Sequence, residues 1–153
     1  LQGLLRAEYD RSRRYGQHLS CIMIDLDHFQ EINKEHGQAF GDYVLTEAAK
    51  LLLGMVRSSD AVARYGGEEF FITLPVVDVD AAVSVAQRIQ RVFGYHIFLK
   101  NSSSTKRTLS MGISGITDQN ITSPSDLTLH AQQALQKAKE QGGNTLCLWR
   151  DIA

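Results

Sequence analysis

Apolar positions recur along this chain in two rhythms. Leu1, Leu4, Leu5 and Tyr9 fall on one side of a helix over residues 1–15, which Gly16 is placed to stop. Leu19 to Asp25 is apolar almost without interruption, as in a central strand covered on both faces. After Gly41 the helical spacing returns in Val44, Ala48, Leu51, Leu52 and Met55. Two further helical stripes follow, one through Ala82, Val85, Ala86, Ile89, Val92 and Phe93, the other through Leu127, Ala131, Ala134, Leu135 and Ala138. Asp60–Tyr65 and Glu69–Leu74 read as strands flanking Gly66 and Gly67, whose expected positive φ angles suit a tight hairpin, and Pro75 closes the second strand. Leu109, Met111 and Ile113 alternate as in a half-buried strand, and Thr145–Trp149 supplies a last one. Helices alternating with strands, one pair of them antiparallel, predict an α/β (α+β) fold: a mixed central β-sheet flanked by helices.

Hydrophobic residues make up 43% of the 153, with 16 Lys and Arg against 17 Asp and Glu, so one folded domain over 1–153 is expected rather than disorder. A net charge of −1 creates no global field for polyanions. No DNA or RNA polymer and no membrane contact are therefore expected, and phosphate binding must come from local groups. No apolar run approaches the ~18 residues of a spanning helix, and the charged stretch Leu1–Leu19 lacks a signal-peptide core. These features suggest a cytoplasmic domain whose parent protein could still be membrane-anchored. Cys21 and Cys147 sit apart in apolar runs, as buried thiols do, and the five histidines lack zinc-site spacing.

Candidate chemistry lies at the ends of strands. Period-two spacing puts Asp25 and Asp27 on one face at the end of the apolar strand. Glu68 and Glu69 follow the hairpin turn, and they approach Asp25 if the two strands are neighbours. Hard carboxylate oxygens without His or Cys select Mg²⁺, which keeps coordination positions open for phosphate oxygens. Solvated acids at a loop end are the plainer alternative for any single pair.

The ordered set MIDLDHFQEIN (Met23–Asn33), Gly41-Asp42, RYGGEEF (Arg64–Phe70), LSMG (Leu109–Gly112) and Ala138-Lys139 before Gly142 and Asn144 resembles the GGDEF family of diguanylate cyclases. The resemblance implies a palm-like sheet related to nucleotidyl cyclases, with a ferredoxin-like core, and condensation of two GTP into cyclic di-GMP by a homodimer. It implies that the side chains of Asp25 and Glu68 and the carbonyl of Leu26 hold Mg²⁺, with Mn²⁺ as the alternative. It further implies that Glu68 and Glu69 are the catalytic carboxylates, either of which could take the hydroxyl proton, that Asn33 and Asp42 contact guanine, and that Phe29, Gly66, Gly67 and Lys139 complete the substrate site.

Arg57, Asp60 and Arg88 match the family's RxxD product-inhibition site. The chain departs from the family pattern at Gln30, where Lys is usual, at Lys34, where Asp is usual, and at Gly143, where Arg is common. The family's upstream segment is read as missing, and a sensory or regulatory N-terminal domain is expected in the parent protein. The competing reading is a weak or inactive GGDEF domain that binds GTP or cyclic di-GMP and signals without turnover.

Overall fold

Strand β1 (Leu19–Leu26) is buried at all eight positions, and in the computed structural model, which describes residues 1–153, it forms the middle of a five-stranded sheet. On one side it pairs antiparallel with β3 (Glu69–Pro75), whose outer edge carries β2 (Ala61–Arg64). On the other side it pairs antiparallel with β6 (Leu109–Gly115), and β7 (Leu146–Leu148) lies parallel to β6. The sheet order β2-β3-β1-β6-β7 is thus mixed, as the hairpin and crossover pattern requires.

Parity along the strands decides which layer each side chain joins. Ile22, Ile24 and Leu26 of β1, Phe70, Ile72 and Leu74 of β3, and Leu109, Met111 and Ile113 of β6 share one core. That core is covered by α2 (Phe29–His36), α3 (Gln38–Leu53) and α4 (Val79–Tyr95). Leu19, Cys21, Met23 and Phe71 face the opposite layer, made by α1 (Gln2–Tyr15) and α5 (Pro124–Glu140). Burying a large apolar side chain contributes ~1.5–3 kcal/mol, so two such layers anchor β1 firmly at its carboxyl end. Alternation then directs Asp25, the next residue of the second series, toward α5.

The helix ends carry recognisable stop and start chemistry. Gly16 closes α1 with φ 64°, and Asp78 caps α4 by accepting from the Ala81 amide at 2.7 Å. Pro124 opens α5, where Asp126 reaches back to accept from the Ser123 amide at 3.1 Å.

Several elements differ from the sequence expectation. Neither Gly66 nor Gly67 has a positive φ; the turn is closed by the Tyr65 amide donating to the Glu69 carbonyl at 2.8 Å, and Arg64 donates to the Gly67 carbonyl. Strand β6 is buried throughout, not half-buried. Its polar-looking face consists of Ser110, Gly112 and Ser114 because α5 lies directly on it: a Cβ at Gly112 would stand 2.2 Å from the Ala131 carbonyl oxygen. Helix α2 and the small hairpin of β4 (Phe98–Lys100) and β5 (Ser103–Thr105) are additions, the latter taking in the polar run Asn101–Thr105. The last strand stops at Leu148, and Trp149 begins α6 (Trp149–Ile152).

Candidate active site

Strand register brings the acids together. Asp25 stands opposite Glu69 on β3 and opposite Ser110 on β6, and Glu68 precedes Glu69 at the mouth of the turn. The last turn of α5 delivers Lys139, whose ammonium forms an ion pair with Asp25 Oδ2. The other Asp25 oxygen, Oδ1, is buried with no hydrogen-bond partner. An open groove of about 530 Å³ runs beside these groups, lined among others by Leu26, Phe29, Gln30, Glu68 and Lys139. Phe29 is also a core residue at 5% exposure, so it forms the groove's floor.

Electrostatics follow from this crowding. Burial pushes the Asp25 carboxyl above the ordinary carboxylate range, and the hydrogen bond and charge of Lys139 only partly oppose it. Burial, then the Asp25 charge, raises Glu68 and Glu69 as well. Gln30 Nε2 donates to Glu68 Oε2 at 2.9 Å and works against the shift of Glu68. Burial alone would lower Lys139, but its hydrogen bond to Asp25 and the charges of all three acids carry it above its usual value.

The donor set suits a hard cation. Asp25 Oδ1 is an acceptor-only oxygen without a partner, a group for which burial otherwise gains nothing. No three His, Cys, Asp or Glu side chains converge as a self-sufficient metal site. A cation held by Asp25 and Glu68 would need further oxygens from water or a bound phosphate, which is the coordination habit of Mg²⁺.

Asp27 shares Asp25's face but not its situation. Its carboxylate accepts from Thr108 Oγ1 at 2.5 Å, Ser110 Oγ at 2.6 Å and the Asn144 amide at 2.8 Å, tying the end of β1 to β6 and to the loop after α5. Gly143 belongs to the same clamp: it has φ +78°, and a Cβ there would lie 3.1 Å from Asp27 Oδ1. The sequence assigned no role to Thr108, Ser110 or Asn144, although LSMG and the late Asn lay within the recognised set. Gln30 read only as a missing cation, whereas it binds Glu68.

The remaining candidates lie in three places. Asn33 on α2 presses against Gly41 on α3, where a Cβ would meet Asn33 Oδ1 at 1.9 Å, and Asp42 is the next residue, exposed to solvent. Asn33 Oδ1 is buried without a partner. Gly66 lies beneath the Glu69 carboxylate, while Gly67 has open space around it. Arg57 grips Asp60 through its Nε at 3.1 Å and a terminal nitrogen at 2.8 Å, and also donates to the Pro75 carbonyl. Arg88 donates to the Met55 carbonyl at 2.5 Å, and all three residues line one small cavity of about 260 Å³.

Comparison with known proteins agrees with this geometry. The family described as "Diguanylate cyclase, GGDEF domain" matches residues 1–145. The chain is 37% identical over 147 residues to a diguanylate cyclase of Vibrio cholerae, covering 95% of this chain and 44% of that protein. It is 36% identical over 130 residues to diguanylate cyclase A of Treponema denticola, covering 85% of this chain and 35% of that protein. It therefore spans less than half the length of these relatives. Among solved structures, the active GGEEF domain of a Vibrio cholerae diguanylate cyclase superposes with a TM-score of 0.90 at 35% identity, covering 98% of this chain and 94% of that one. A mixed sheet with its acids at a Gly-Gly-Glu-Glu turn and a sequence match along nearly its whole length make this chain a member of the GGDEF diguanylate cyclase family.

Proposed function

We propose that this domain condenses two molecules of GTP into cyclic di-GMP and pyrophosphate, each protomer of a homodimer holding one GTP. The observation that carries the reading is Asp25: a buried carboxylate with one unpaired oxygen, flanked by two further acids and a lysine, costs stability unless a charged ligand uses it. Asp25, Glu68 and the Leu26 carbonyl would hold Mg²⁺ or Mn²⁺, which when bound neutralises triphosphate charge and eases attack at the α-phosphorus. Lys139 supplies a cation to the phosphate oxygens. Glu69 takes the proton of the attacking ribose 3′-hydroxyl, a task for which its raised pKa suits it and for which Glu68 is less free because Gln30 binds it. As the new P–O bond forms, the bond to pyrophosphate breaks.

Asn33 and Asp42 read the base. A carboxylate accepts from guanine N1–H and the exocyclic amine, and adenine lacks those paired donors, so ATP leaves Asp42 unsatisfied. At the second cavity, cyclic di-GMP binds to Arg57, Asp60 and Arg88 and slows turnover, since guanidinium groups grip phosphate bidentately and also stack on guanine. The greater length of the relatives favours an additional regulatory region in the parent protein.

Incubation of the purified chain with GTP and Mg²⁺, resolved by chromatography, should give cyclic di-GMP and pyrophosphate, and none from ATP. Tight GTP binding without product would instead favour the signalling module. Calorimetry should show product binding that is lost in the Arg57→Ala, Arg88→Ala double variant; equal affinity would reject the inhibitory site.

A further inference from the structure

The stretch from Ala81 to Thr117 holds five of the chain's 16 Lys and Arg and none of its 17 Asp and Glu. The near-neutral total thus conceals a strongly basic segment. Large apolar side chains are exposed in the same stretch: Tyr95 at 79%, Leu99 at 59%, Ile97 at 56% and Val92 at 36%.

Their placement makes one surface of these residues. On α4, Arg91 and Val92 stand four and three residues before Tyr95, so the three share a helix face. Beyond α4 the alternation becomes that of a strand. His96 packs edge-on against Phe98 at 4.6 Å and Phe98 is fully buried, which turns Ile97 and Leu99 outward. Leu99 pairs with Ser104, so the same register carried outward sets Lys106 beside Ile97 on the outer face. The hairpin is held from behind, where the Tyr43 hydroxyl donates to the Leu99 carbonyl at 2.7 Å.

We propose that the outer face formed by the end of α4 and the β4–β5 hairpin, namely Arg91, Val92, Tyr95, Ile97, Leu99 and Lys106, docks on an anionic lipid surface. Aliphatic side chains bury in the headgroup boundary, a tyrosine suits the interface with its apolar body and polar tip, and flanking cations meet lipid phosphates. Nucleic acid fits less well, since Tyr95 alone on this face gives bases a stacking partner while valine, isoleucine and leucine give none. Arg91 and Lys106 supply the charge complementarity and no acid lies within the stretch, while Arg88 turns to the Met55 carbonyl and Arg107 pairs with Glu31. None of these six residues lines the acidic groove.

Vesicle cosedimentation of the 153-residue protein decides the matter, with phosphatidylcholine alone and with phosphatidylglycerol added. Binding is expected only to the anionic vesicles and should weaken with salt. Leu99→Asp combined with Ile97→Asp should reduce it at least tenfold. Lys106→Glu should reduce it about fivefold or more, the equivalent of ~1 kcal/mol per basic residue near such a surface. Both variants should keep the unmodified protein's circular dichroism and melting temperature. Failure to bind anionic vesicles, equal binding to neutral ones, indifference to the aspartates, or equal retention on polyglutamate or RNA would overturn the proposal.

Discussion

Asp25 and Asp27 lie two residues apart on one face of one strand end, yet their surroundings are opposite. Asp27 has its oxygens filled by Thr108, Ser110 and the Asn144 amide. Asp25 is left with a lysine on one oxygen and nothing on the other. A satisfied carboxylate is a brace, whereas a buried and half-satisfied one is a stability cost that a ligand can recover. The strand supports the second condition because five of its first six residues, all but Ser20, belong to the two apolar, closely packed layers on either side.

The largest expected effect is on turnover. Asp25→Asn should lower cyclic di-GMP formation about a thousandfold, as losing several kcal/mol of charge stabilisation implies. The metal-free variant should nevertheless melt at an equal or higher temperature, measured by calorimetry, because a buried charge has gone. A marked loss of stability would erase the contrast with Asp27. Asp27→Ala should show the reverse balance, costing about 3 kcal/mol in urea denaturation, since the fully buried Ser110 hydroxyl loses its acceptor and the loop after α5 loses its tie. Unchanged denaturation would show that the clamp is decorative.

The smallest effect sharpens the comparison through pH. Asp25, Glu68 and Glu69 all have folded pKa values above the ordinary carboxylate range, so the folded chain binds more protons than the unfolded one between the two. Without metal, their contribution to stability should be greatest in acid and should decline as pH rises through the raised values. Melting curves from about pH 4 to neutrality, without divalent ions, should show this decline, shallower in Asp25→Asn. A contribution that grows with pH in that window would contradict the burial of the cluster.

Hydrophobic rhythm exposed the long elements because burial is what their patterns record: β1 is apolar toward two core layers, and α1, α3, α4 and α5 each turn a stripe to one layer, although Leu1, Leu4 and Val92 at the stripe margins are exposed. Where chemistry or close packing replaced the rhythm, reading failed. Helix α2 has just two buried apolar residues, Phe29 and Ile32, and the residue before it, His28, has a left-handed φ of 57° and makes no side-chain cap. Serine and glycine on β6 looked solvent-facing, yet they are small because a helix backbone lies against them. The hairpin was legible while its reason was not, since Gly66 and Gly67 need no positive φ. Among the site residues, Asp25, Glu68, Glu69 and Lys139 were legible as a group through the ordered motifs. The Asp27 clamp was hidden because its partners are hydroxyls and one amide, groups without distinctive spacing.

Gly112 governs more than packing. The backbone of α5 touches β6 at Ala131 and Leu135, and Lys139 follows Leu135 by four residues, about 6 Å further along the axis. The missing methyl therefore acts as the thickness of a hinge leaf, setting the height at which the helix carries its ammonium above Asp25. Even a small shim at that point, far from any nucleotide, would tilt the rod and move the charge at its tip.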